Sequence, residues 1–598
     1  MRNKLLLVGA AVAAIALPAI AQQVAQPAAP AQTQPTAPAT APTPGPGAEP
    51  VQSAPATSAR TGTPDSGPGE TETGVADASE LNLAPPTPPV EIPEHARRNP
   101  SVTGRLDPVE LGLGAAPWGG ANGAFLSGLL RRMDAPLSSR WLHIALRNAL
   151  LARVRAPRSV HPVDWSAERS WMLLRMGEAD AARMLVADVD VDRFTPKMYQ
   201  VGVQSALATA DPPALCPLQD GIRKYEKGIA ALVDAMCASL SGEPESAAAQ
   251  IDAARRRGRI GGIDLVLPQK VVGAGANTSR AVTVEWDPVD SLNSWRFGLA
   301  TATGIAPPER LINAATPQVR AWQARAPLLS AQQRLASARI ATGLGVFSSQ
   351  ALLDLYSAIY DATDPDELSG TDAWQLRLAF AGKDLDARLS AMRKLWKGDK
   401  DSLDREASRA LLGRAASLVA PDADLENDAA NLIASMLAAG YDRQAARWAS
   451  VLGGMEAKNS DACWAMLALA APDGVRIDTG SSRVDAFIGR DDSNGKQRSA
   501  LLVAGLAALG RLSSDDADKL NRRYGLGLEH RTRWTQMIDG AAGRGQAGTV
   551  LVLAGTGFQA LGLQQLPSSH LFHAVAGLRR TGQDFTARMI AAEALSRT

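Results

Sequence analysis

Cysteine is nearly missing from this chain, with three residues in 598. None stands in a Cys-x-x-Cys pair or a His-Cys cluster, so a thiolate metal site is not indicated. Aromatics are also few, at 5%, and skewed, since 12 Trp outnumber 9 Phe and 6 Tyr. Such tryptophans fill helix–helix crossings, or else line a concave groove for peptide or glycan. Neither sign of charge prevails, with 62 basic against 61 acidic residues and a net charge of +1. That removes the electrostatic case for nucleic-acid binding, which wants a strongly basic face. Beyond the N-terminal segment no run is long and apolar enough to cross a bilayer. No G-x-S-x-G elbow is present, and no cysteine or serine has an assignable histidine partner.

What is present begins with an export signal. Arg2 and Lys4 form a positive start, Leu5 to Leu17 an apolar run, and Ala19-Ile20-Ala21 an A-x-A cleavage site. Residues 1–21 therefore read as a signal peptide, with an uncleaved anchor as the alternative. No cysteine follows the site, so a lipoprotein is not indicated. The expected location is a bacterial periplasm, or outside the cell, without a membrane span after cleavage. In an oxidising compartment Cys216 and Cys237 are candidates for a disulfide across one helical hairpin, leaving Cys463 unpaired. The alternative is that both are buried thiols.

Residues 22–100 are rich in Pro, Ala and Thr and poor in large apolar side chains, the composition of a disordered linker. Residues 101–137 are glycine-rich and read as an irregular lead-in. Two helical-repeat segments are then expected, 138–259 and 291–598. Between them, residues 260–290 are β-branched and glycine-interrupted, suiting short strands or an extended crossover.

The organising unit is GYDRQAARWASVL, Gly440 to Leu452. Ala445, Trp448, Ala449 and Leu452 fall on one helical stripe, Asp442 is placed to cap the helix, and Gly440 ends the one before. Flanking stripes are Ala429, Ile433, Met436 and Leu437, then Trp464, Leu467, Ala468 and Ala471. Related turns start at Gly177, Gly242, Gly382 and Gly582, each with an alanine five positions on. In three of them an arginine follows that alanine, at Arg183, Arg388 and Arg588, and is expected on the outer face. The expected fold is mostly α, an irregular α-solenoid of stacked helical hairpins.

Several fragments approach active-site signatures without completing them. Gly489 to Lys496 (GRDDSNGK) has one residue too many for a phosphate loop, and Gln497 stands where Ser or Thr should hold magnesium. Gly555, Gly557 and Ala560 fit a dinucleotide turn, but no acidic residue follows at the required distance. Those glycines suit a helix contact. His570 and His573 lie one turn apart without a third metal ligand, which suits packing near a helix start. Asp491-Asp492 and Asp515-Asp516 read as solvated helix caps. Arg255, Arg256, Arg257 and Arg259 form the densest positive cluster. It reads as a helix C-terminus, with contact to an anionic partner as the sharper alternative. Arg522-Arg523 and Arg531 to Arg533 read the same way. No cofactor is implied, and no catalytic residue is assignable.

Stacked hairpins with Gly-x4-Ala turns resemble the broad tetratricopeptide-like class of helical-repeat proteins over roughly residues 138–598. No unit carries that class's full signature, so no residue role transfers. Repeat geometry and the failure of every catalytic motif lead to the expectation of a non-catalytic scaffold or adaptor binding proteins or cell-envelope components. The alternative is an enzyme or binder of peptidoglycan or another glycan, with a site assembled from distant helices.

Overall fold

Glycine decides where many helices of this chain stop. In the computed structural model, which describes residues 92–258, 260–276, 283–397, 402–559 and 562–598, Gly177, Gly242, Gly440 and Gly582 take φ values of 107°, 86°, 84° and 83°. A side chain there would be strained, and the left-handed turn lets the next helix fold back. Ala182, Ala247, Ala445 and Ala587 are fully buried where that second helix meets the first. Gly382 departs from the pattern, with φ −56°, and its Ala387 is half-buried.

The result is a mostly helical stack of hairpins. Among the described residues it holds 28 α-helices and one antiparallel strand pair, Val102–Thr103 with Val154–Arg155. No described helix is long and apolar enough to cross a membrane. By contacts, Arg98–Thr598 belongs to one unit and Gln26–Arg97 to another. Of the second unit only residues 92–97 are described, with a single 3-10 turn at Glu94–Ala96. The expected signal peptide and nearly all of the expected linker lie outside the described residues.

The two outer central stripes form as read and the middle one only in part, with Ala449 and Leu452 half-buried. Helix Glu426–Ala438 buries Ala429, Ile433, Met436 and Leu437, and helix Ala457–Ala470 buries Trp464, Leu467 and Ala468. Between them the chain is α-helical only over Asp442–Ala446 and continues as a 3-10 helix over Arg447–Gly454, burying Ala445 and Trp448. Tyr441, not Asp442, is the N-cap residue. The Asp442 carboxylate is drawn instead to Arg588, 2.9 Å away.

Two expectations need correction. Residues 263–275 form a helix, Ile263–Gly275, not strands. Burial of Ile263, Leu265, Leu267, Val271 and Val272 overrides their β propensity. Pro268 inside that helix has no N–H for the carbonyl of Asp264, and Trp295 Nε1 donates to that oxygen at 3.1 Å. Outside that helix the described residues of 260–290 are without helix or strand. The lead-in is likewise not wholly irregular, since Gly123–Arg132 is a helix capped by Asn122, whose side chain accepts from the Phe125 N–H.

A simple solenoid lets each repeat touch only its neighbours. Here helix Arg140–Leu151 also packs on Ala547–Gly557 and Asp584–Ser596, near the other end of the chain. That helix is covered on nearly every side, with Leu142, Leu146, Ala149 and Leu150 buried beside Arg140, His143 and Arg147. One continuous apolar core joins it to both helical segments. A smaller second cluster, between Val203 and Leu311, contains Cys237.

Candidate functional site

Buried arginines are the first feature of the polar chemistry. Arg140 donates through Nε to Thr342 O at 3.0 Å and through Nη1 to Ala438 O at 2.7 Å, closing the C-terminal ends of two separate helices. Burial holds its pKa below the ordinary arginine value, opposed by the charges of Glu593 and Glu406. Arg169, fully buried, donates to Leu150 O, Ala152 O and Thr103 O at 2.9–3.1 Å. Burial lowers its pKa to about 10, with Asp188 opposing. Arg175 donates to Met133 O at 2.6 Å, and Arg511 to Ala468 O at 2.7 Å. In each case a cation meets carbonyls that a helix terminus leaves unpaired, at the negative end of its dipole. Arg588 belongs to this set. It is buried, pairs with Asp442 and Asp584, and donates to Ala470 O, so it does not lie on the outer face. Arg388 is half-buried and donates to Ala379 O at 3.3 Å, and Arg183 pairs with Asp211 at 2.6 Å.

Three open clefts lie between hairpins. A polar one of about 290 Å³ is assembled from helices distant in sequence and lined by Arg409, Asn431, Asp461, Arg490, Asp491 and Arg498, among others. Its charges neutralise one another. Asp461 accepts from Arg490 at 2.6 and 2.9 Å and faces Arg483 at 2.7 Å. Asp491 accepts from the N–H groups of Ser493 and Ser499, both at 2.9 Å, and from Ser499 Oγ at 2.5 Å. Burial pushes its pKa up, but those hydrogen bonds outweigh burial and hold it below the ordinary carboxylate value. Such a group stays ionised and is unsuited to a general acid. Its side chain is also fully covered, so only Asp492 of this pair is solvated.

A second cleft, of about 460 Å³, has aromatic walls, with Tyr356, Tyr360 and Phe380 beside Arg377 and Arg414. Tyr360 is stacked parallel to Trp374, and the Arg377 guanidinium lies 5.1 Å from the Tyr360 ring centre. The third cleft, of about 580 Å³, runs along helix Arg533–Gly543. No carboxylate lines it.

Of the residues singled out from the sequence, Asp491 and Asp492 line the first cleft and Arg533 the third, and the others lie elsewhere. Cys216 and Cys237 are joined, with Sγ–Sγ 2.07 Å and Cα–Cα 5.5 Å. Arg255 and Arg256 end helix Pro244–Arg256, with Arg257 as its C-cap. Arg255 lies 3.5 Å from Asp252, none of the three lines the clefts above, and Arg259 is outside the described residues. Arg522 and Arg523 close helix Ser514–Tyr524. Arg533 does the opposite of what was expected and opens a helix, capped by the Thr532 side chain. The Thr532-x-x-Thr535 spacing was the available signal for that start.

The near-miss motifs resolve into structural roles. Lys496 of GRDDSNGK donates to Ile488 O. A Cβ on Gly555 would lie 2.8 Å from Met133 Sδ, and one on Gly557 2.3 Å from Trp534 Cζ2, so both glycines permit close helix contacts. Ala560 is outside the described residues. His570 Nδ1 lies 2.8 Å from Gly557 O, and His573 Nδ1 2.9 Å from Asp539, with Trp534 against both rings. Asp515 and Asp516 occupy the first turn of helix Ser514–Tyr524. Among the described residues no group of His, Cys, Asp or Glu is placed to hold a metal ion. None of the 12 tryptophans is fully exposed. Sequence reasoning missed Arg140, Arg169 and Glu593, whose partners lie far along the chain.

Compared with protein-family models, curated proteins and solved structures, the chain matches none.

Proposed function

We propose that this chain acts outside the cytoplasm as a non-catalytic binding scaffold for proteins or cell-envelope components. The export signal and the Pro/Ala/Thr-rich segment behind it support the location and suggest a tethered reach. The observation that carries the binding role is the groove along helix Arg533–Gly543. It is open, about 580 Å³, and bordered by Arg533 and Arg544 without any lining carboxylate. Most of the other arginines described above are spent on ion pairs and helix ends, whereas Arg533 has no carboxylate partner among the described residues, and such a cation beside an open groove favours an external partner. The glycan-cleaving alternative draws no support from the polar cleft, where Asp461 and Asp491 are already saturated.

Crosslinking in cells, with and without residues 22–100, tests this reading. The expected result is discrete adducts on the helical body, with their yield reduced when the tether is removed. Release of soluble fragments from purified peptidoglycan by the mature protein would overturn it.

A further inference from the structure

Helix Arg533–Gly543 keeps one face off the core. Arg533, Met537, Gly540 and Arg544 follow one another at helical spacing along the groove, with Phe125 on the facing wall and Thr549 beneath. Arg533 stands in the first turn of its helix, where the dipole disfavours a cation, and it has no carboxylate partner among the described residues. Arg544 reaches only Gln546 Oε1, at 3.5 Å. Arg544, as the C-cap residue, does meet the favourable end of the dipole, so it is Arg533 whose placement adds nothing to the fold. An independent sign comes from Thr549, which is 3% exposed and whose hydroxyl has no hydrogen-bond partner. A buried hydroxyl left without a partner is costly, and this one borders the groove.

We infer that the groove takes an acidic peptide segment with an apolar side chain between two carboxylates. This rests on the scaffold reading and names its partner chemistry. The Arg544 guanidinium folds back to 3.3 Å from where a Gly540 Cβ would stand. From Arg533 the helix therefore rises only roughly 10 Å to it, which an extended peptide covers in about three residues. The arginines receive the two carboxylates as charge-assisted hydrogen bonds. Between them Met537 and the 40%-exposed Phe125 offer apolar contact. The Thr549 hydroxyl then finds a peptide carbonyl. The apolar middle favours such a segment over a uniformly charged glycan or a flat anionic membrane.

The test is fluorescence anisotropy on the full mature chain, with a fluorescein-labelled peptide carrying two glutamates about three positions apart and a leucine between. Binding is expected in the micromolar range and to weaken as salt rises. R533Q and R544Q should each weaken it roughly tenfold, and G540L, which fills the groove, should weaken it as much without changing the circular-dichroism melt. The triple variant R255Q/R256Q/R257Q should bind like wild type. No binding, or binding indifferent to R533Q/R544Q, would overturn the inference. So would preferential capture of phosphatidylglycerol vesicles or polygalacturonate, which would reassign the groove. Crosslinks in cells that persist undiminished in R533Q/R544Q would remove this groove while leaving the scaffold reading intact. Loss of every crosslink in the wild type would remove both.

Discussion

Ser139 and Glu593 are 454 positions apart, yet the Ser139 hydroxyl donates to Glu593 Oε2 at 2.6 Å. The same carboxylate accepts from the N–H groups of Arg140 and Trp141, at 2.8 and 3.1 Å, and from Arg597 at 2.8 Å. The last helix of the chain thus supplies an anion to the N-terminus of the central one, where orphan N–H groups and the helix dipole favour it. Glu593→Ala should cost about 3–5 kcal/mol, because it strands Arg140 in the interior as well as removing the cap. Glu593→Gln keeps an acceptor and should cost less. Urea denaturation of both variants checks the order, and equal losses would show that charge is not what matters there.

Arginines from similar sequence contexts should differ widely in weight. Arg588 has a side chain 6% exposed, between Asp442 and Asp584, whereas Arg183 is 34% exposed and pairs with Asp211 alone. Arg588→Ala leaves Asp442 and the Ala470 carbonyl without their cation, although Arg511 still reaches that helix end, at a cost of about 3–5 kcal/mol. Arg183→Ala should cost under about 1 kcal/mol, the range of a solvent-screened pair. Denaturant midpoints for the two variants give the comparison directly, and similar midpoints would contradict it.

These two arginines mark how far the sequence could be read. The Gly-x4-Ala spacing is local, so the turns at Gly177 and Gly582 and the buried Ala182 and Ala587 were legible. An arginine after such an alanine looks solvent-facing on a helical wheel. Whether it is depends on Asp442 and Ala470, which the wheel does not contain. Arg140 gave no sequence signal for the same reason, because its partners arrive from Thr342 and Ala438, about 200 and 300 positions away. The β-branched run at 263–275 misled differently, since burial among neighbouring helices outweighed propensity. Of the groove, Arg533 was noticed as part of a basic cluster but assigned to the wrong end of a helix. Thr549 gave no sequence signal, because only packing shows that its hydroxyl lacks a partner.

Acid should weaken the corner between helices Ser481–Arg490 and Gln497–Ala508. The folded-state pKa of Asp491 lies below the ordinary carboxylate value, because the hydrogen bonds from Ser499 and Ser493 outweigh burial. The unfolded chain therefore binds the proton first as pH falls. The contribution of Asp491 is whole above about pH 4, the unfolded value, and is lost as pH drops through the folded one. Asp491→Asn should be less stable than wild type at neutral pH, with the difference narrowing below about pH 4. Stability measured for both proteins across that window decides the matter, and a constant difference would mean that Asp491 does not titrate with folding.

The cysteines give a prediction that separates covalent from packing effects. Cys463 is fully buried, and burial pushes its thiol up to about 12, so it should resist iodoacetamide in the native state and react only after unfolding. Cys216 and Cys237, joined across 21 positions, should take up no label without reductant even when the protein is unfolded. Mass spectrometry after alkylation in denaturant should therefore find one labelled thiol without reductant and three with it. Replacing both joined cysteines by alanine should cost about 3 kcal/mol in loop-closure entropy. That loss should centre on the smaller core between Val203 and Leu311, leaving the Glu593 cap and the hub helix as they are. Hydrogen exchange resolved by peptide would locate it, and a loss spread evenly over both cores would show that the bridge supports the whole stack.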